Sequence, residues 1–157
     1  MIVRLTFEEV HAASIAGLRR ELKNYWEGVP DLSPPKQGER DGFSQQIFGA
    51  IAELAVCKAL DRHWSGLVDS SRTKAPDIGN EIDARYNANG RAFVKARDED
   101  GRRIVFVTGS MRELHLYGWI AAEDAKRSEW LAYEGAGYYI VPADHLHPIE
   151  TLEGAPA

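Results

Sequence analysis

Glu53, Asp77, Asp83 and Arg85 are the residues of this 157-residue chain whose types and spacing suit chemistry best. Glu53 stands in an otherwise apolar helical pattern running from Phe43 to Leu60. At about 100° per residue it shares a sector with Gly49, Val56, Cys57 and Leu60, while Lys58 lies well away. A carboxylate in that sector faces the interior, where it needs a counter-charge, hydrogen bonds or a metal ion. On the residues alone, an arginine partner and a metal are equal alternatives. Gly49, one turn earlier, permits close approach of backbone or substrate. Downstream, the segment Pro76 to Tyr86 reads as a turn leading into a strand, in which Glu81, Asp83 and Arg85 share one face and Ile82, Ala84 and Tyr86 the other. Carboxylates from a helix, a turn and a strand are expected to converge at one end of a sheet, and hard oxygen ligands suit Mg²⁺ or Mn²⁺. An ion so held activates water and stabilises charge on a phosphate, with a fixed cation adding to the effect. The chemistry expected of such a set is phosphodiester hydrolysis.

The stretches Gly49-Ala50-Ile51-Ala52-Glu53-Leu54-Ala55-Val56, Pro76-Asp77 and Asp83-Ala84-Arg85 resemble, in that order, the core of the PD-(D/E)XK nuclease superfamily. The resemblance covers about Ser44 to Val107, and the later helical and strand patterns are compatible with it. It implies an α/β (α+β), restriction-endonuclease-like fold: a mixed β-sheet flanked by helices, here with an additional N-terminal helix. It further implies that Glu53, Asp77 and Asp83 bind Mg²⁺ or Mn²⁺, that the substrate is DNA, and that Arg85 occupies the usual lysine place. Arginine keeps the positive charge but does not deprotonate to act as a base. Its expected role is therefore to position the scissile phosphate; the alternative is a member that has lost cleavage and binds nucleic acid or a protein partner. Glu81 contests the register, because Glu81-Ile82-Asp83 also puts two acids on one face, as a ligand or a supporting residue. Gln46, and less so Gln45, is a further candidate to approach the metal.

Other cations offer phosphate contacts. Lys95 and Arg97 alternate with Val94 and Ala96 as a stripe facing either phosphate or solvent, and Arg72 and Lys74 stand in the polar run before Asp77. The net charge of −5 excludes a protein that coats nucleic acid by bulk attraction, while leaving room for a local basic surface around an acidic site. His145 and His147 lack a nearby second pair and read as structural or exposed rather than as zinc ligands. Tyr117, Trp119, Tyr138 and Tyr139 suit packing better than base stacking, and the single Cys57 belongs to packing.

The elements that must position these groups are readable in outline. The length suits one domain, with an N-terminal helix over 6–26, a core over 43–150 and a frayed tail over 151–157. Thr6 to Glu9 matches a capping box, and Val10, Ile15, Leu18, Leu22 and Tyr25 form an approximate apolar face on the first helix. Residues 28–42, rich in Pro and polar side chains, read as a surface connection, with a mobile lid as the alternative. The spacing predicts an edge strand over 63–68, a strand over 82–86 paired as a hairpin with one over 91–97, and a central strand over 103–108. Further strands are predicted over 114–120 and 138–141, with a helix over 121–133 between them. No run reaches the ~18 apolar residues of a membrane span, and the acidic start lacks signal-peptide character. The expectation is a cytoplasmic protein with no membrane partner, binding nucleic acid, with a homodimer or larger assembly open.

Overall fold

The computed structural model describes residues 1–29, 42–68 and 75–152. In chain order the elements are β1 (Ile2–Arg4), α1 (Phe7–Trp26), α2 (Gly42–Ala59), β2 (Ile82–Tyr86), β3 (Ala92–Lys95), β4 (Arg103–Gly109), β5 (Glu113–Ala121), the short α3 (Ala122–Ala125) and β6 (Tyr138–Val141). Among the described residues no helix is long and apolar enough to cross a membrane.

The run Ile104 to Val107 organises the packing. Its four residues are fully buried, because β4 is covered on both faces. Val105 and Val107 join Ile51, Val56, Ile82, Leu114 and Leu116 in the core beneath the helices. Ile104 and Phe106 point the other way, into a second core with Val94, Ile120, Trp130 and Val141. The main sheet has the order β1-β5-β4-β2. β4 pairs antiparallel with β5 and parallel with β2, and β1 adds antiparallel to β5. The sheet is thus mixed and flanked by helices. β3 and β6 form a separate antiparallel ribbon over its second face.

This corrects the expected hairpin of residues 82–86 with 91–97. Asn87 ends β2, with its side-chain oxygen accepting from the Asn89 and Arg91 amides, and its own amide donates to Val107 of β4. The chain leaves the sheet there, β3 finds β6, and β2 receives the apolar β4 as its neighbour. Two other expectations are corrected. Residues 63–68 form no strand; they are tied to the helices by Arg20 Nε donating to the Leu67 carbonyl. The helix expected over 121–133 shrinks to α3 and a 3₁₀ turn over Ser128–Trp130. Lys126 Nζ is drawn to Asp98 O and Asp100, and Arg127 lies 4.5 Å over the Trp130 ring, so side-chain contacts replace helical ones. At the C-terminal end Ile149 and Leu152 are buried in the first core, so order extends into the expected tail.

The capping box at Thr6 and Glu9 is formed, and α1 runs its predicted length. Its packing reverses the sequence expectation. The face against α2 consists of the small Ala13, Ala16 and Gly17 together with Arg20; Val10 is half-buried against the first core, while Ile15, Leu22 and Tyr25 point away. A Cβ on Gly17 would lie 2.5 Å from Ile47 Cα, so the absence of a side chain lets the two backbones touch.

Candidate functional site

Glu53 and Arg20 form the buried end of the site. α2 turns Glu53 inward, 6% exposed, and α1 brings Arg20, 5% exposed, across the contact at Gly17. The guanidinium grips both carboxylate oxygens, Nη1 to Oε1 at 2.5 Å and Nη2 to Oε2 at 2.7 Å. Such a bidentate, charge-assisted pair satisfies the requirement that interior burial places on Glu53. Of the two partners open from sequence, an arginine is the one present at Glu53.

Asp77 and Asp83 sit further out, at the edge of the sheet. β2 is an edge strand, and the turn before it folds back so that Ile78 bridges Ile82. That places Asp77 alongside this edge, where its Oδ2 accepts the Ala84 N–H at 3.0 Å. In return Asp83 Oδ1 accepts the Asp77 N–H at 3.2 Å. The two carboxylates are thereby fixed to each other through the backbone. Burial, and then the charges of Glu53 and Asp83, push the Asp77 carboxyl up to about 7, against the opposing Ala84 N–H and Arg20. Burial likewise raises Asp83, with the Asp77 N–H, Arg102 and Arg85 pulling the other way. The charge of Glu53 is felt at Asp77, so the three expected acids occupy one electrostatic neighbourhood.

The predicted cations fall differently. Arg85 shares the face of β2 with Asp83 but is committed to Asp98, Nη1 to Oδ2 at 2.8 Å and Nη2 to Oδ1 at 3.2 Å, with Nη1 also donating to Phe93 O. Its guanidinium stacks 5.2 Å from the Phe93 ring. Against the upward push of burial, the bonds from Arg85 hold the Asp98 carboxyl below its ordinary value. Arg85 is therefore a half-buried ion-pair partner of Asp98 whose charge also reaches Asp83. Lys95 is half-buried beside this pair, and its ammonium makes no hydrogen bond among the described residues. Burial, and then the charges of Arg85 and Arg97, lower its pKa. Arg97 is exposed. Arg72 and Lys74 lie outside the described residues.

Glu81 pairs with Arg103 at 3.4 Å, and Asp83 is the acid bonded to the Asp77 amide. Gln46 lies where α1 crosses α2, its carbonyl beside Gly17; it takes no part in the hydrogen bonds of Asp77 and Asp83. Arg20, Asp98 and Arg102 were missed by sequence reasoning. Arg102 Nη1 reaches Asp83 Oδ1 at 3.4 Å. Alternation along β3 signals Lys95, but nothing local marks Arg20, which stands 33 residues before its partner.

Among the described residues, no three His, Cys, Asp or Glu side chains are gathered closely enough to hold a metal ion. The full set Glu53, Asp77 and Asp83 does not fit one in this arrangement, since Arg20 occupies both Glu53 oxygens. The pair Asp77 and Asp83 does fit. Each is a hard oxygen donor with one carboxylate oxygen, Asp77 Oδ1 and Asp83 Oδ2, outside the hydrogen bonds described. Mg²⁺ is commonly bound through one or two carboxylates, keeping several waters.

Comparison with known proteins found no matching family model, curated protein or solved structure. The functional reading rests on the chain's own residues and on the motif resemblance.

Proposed function

We propose that this protein is a nuclease that hydrolyses phosphodiester bonds with a divalent cation, Mg²⁺ or Mn²⁺, held by Asp77 and Asp83. The observation that carries the reading is the cross-bonded Asp77–Asp83 pair at the edge strand β2. The charge of Asp83 raises the half-buried Asp77 carboxyl, and a bound cation would relieve that repulsion. When bound, the cation supplies an activated water and neutralises charge on the phosphate. Lys95 is assigned the phosphate contact from β3, because its half-buried ammonium, which makes no hydrogen bond among the described residues, lies beside the Arg85–Asp98 pair, whose charges reach Asp83. The Arg85–Asp98 pair fixes the turn after β3 that presents Lys95, through Asp98 Oδ2 accepting the Lys95 N–H at 2.7 Å. The Arg20–Glu53 pair fastens α1 to α2, and the charge of Glu53 raises the Asp77 carboxyl while Arg20 opposes it. DNA is the substrate proposed on the strength of the motif resemblance.

The test is incubation of linear duplex, circular duplex and single-stranded DNA, and of RNA, with Mg²⁺ or Mn²⁺, beside Asp83→Asn. Metal-dependent cleavage of DNA lost in the variant supports the proposal. No cleavage of any substrate, or equal cleavage by the variant, overturns it. A second reading, a non-cleaving protein of the same architecture that binds nucleic acid or a protein partner, is favoured by the closed Arg20–Glu53 and Arg85–Asp98 pairs. DNA binding without cleavage, weakened by Lys95→Ala, selects that reading.

A further inference from the structure

α1 has two unlike faces. Ala13, Ala16, Gly17 and Arg20 are buried, and at about 100° per residue the opposite direction carries Phe7, His11, Ile15, Leu18, Leu22 and Tyr25, with Trp26 on its margin. These are large side chains left in water: Phe7 is 78% exposed, Tyr25 82%, Trp26 88%, Leu22 50% and Ile15 40%. From His11 the stripe advances by four and three residues alternately through Ile15, Leu18, Leu22 and Tyr25, the spacing of a seam between two helices. A monomer rarely exposes so continuous an apolar surface.

We propose that this face is the seam of a homodimer, with α1 packed antiparallel against α1 of a second copy. The exposed side chains of the stripe present on the order of 700 Å² per copy, close to the ~800 Å² per partner of a stable interface. The spacing of Phe7, His11, Ile15, Leu18, Leu22 and Trp26 is symmetric about the midpoint between Ile15 and Leu18, and Tyr25 falls opposite the partner's Glu8. A two-fold axis there sets Ile15 against the partner's Leu18, His11 against the partner's Leu22, and Phe7 against the partner's Trp26. The flanks are compatible in charge, with Arg19 set against the partner's Ala12 and Glu21 against the partner's Ser14, so no like charges oppose. The antiparallel arrangement also opposes the helix dipoles. A parallel pair would set His11 against His11. The inference is independent of the proposed nuclease activity.

Sedimentation velocity of the full chain across a dilution series tests it. The expected result is a species of twice the 17.5 kDa chain mass, converted to monomer by Leu22→Glu and by Trp26→Glu with circular dichroism unchanged, since both side chains are exposed. Phe7→Cys and Trp26→Cys proteins are expected to cross-link when mixed, and Phe7→Cys alone is not; Cys57 is buried and does not compete. A chain that stays monomeric throughout, or a dimer that survives Leu22→Glu, overturns the proposal. Self-cross-linking of Phe7→Cys overturns the antiparallel arrangement.

Discussion

Burial and neighbouring charge make Asp77 sensitive to pH. Its carboxyl is raised from 3.8 to about 7, so the folded state prefers the proton. The contribution of Asp77 to stability is fully present below the unfolded value of 3.8 and is lost as pH rises through about 7. Asp77→Asn retains an acceptor for the Ala84 N–H without the charge. Relative to the parent chain it is expected to be near neutral at pH 4 and progressively more stable toward pH 8, by up to a few kcal/mol. Urea denaturation at several pH values checks this; parallel pH profiles for the two proteins would contradict it. The opposite sign holds at Arg20. Arg20→Met leaves Glu53 charged and unpaired in the interior, at a cost of roughly 3–5 kcal/mol. The double variant Arg20→Met with Glu53→Leu is expected to recover most of that loss, because it removes both charges together. The inward direction of Glu53 was legible in the sequence, since helical periodicity fixes which way a side chain points. Its partner was not, because Arg20 reaches it only through the packing of α1 on α2.

At the scale of elements, the contact between α1 and α2 depends on Gly17. A methyl group there meets Ile47 Cα and the Gln46 carbonyl, which are backbone atoms with little room to yield. Gly17→Ala is expected to lower stability by roughly 1–3 kcal/mol despite its better helix propensity, measurable as a reduced midpoint in urea. The apolar stripe of α1 illustrates the limit of periodicity. Of the expected face only Val10 packs inward; Ile15, Leu22 and Tyr25 are exposed, and the face turned inward is the one whose small residues allow close approach. Strand pairing shows the same limit. Residues 82–86 and 92–95 are strands within the predicted ranges, yet their alternation carries no information about the partner. The loop Asn87 to Gly90 directs one strand into the sheet and the other into the ribbon.

For the whole molecule, the decisive experiment joins stability to the proposed site. Mg²⁺ or Mn²⁺ is expected to raise the Tm, and to do so more at pH 8 than at pH 5, because a proton on Asp77 competes with the cation. Asp77→Asn with Asp83→Asn is expected to abolish the shift; an equal shift in the double variant would place the cation elsewhere. The sequence by itself determined the mixed helix-and-strand class, the two long helices, the central apolar strand and the inward turn of Glu53, since each follows from local periodicity and burial. Only the tertiary structure decided that β2 runs parallel to β4, that Arg20 closes on Glu53 and Asp98 on Arg85, and that Asp77 and Asp83 are tied together through backbone amides. Those outcomes depend on which surfaces fit together across long sequence separations. Close approach at Gly17 and the two-sided burial of β4 select them.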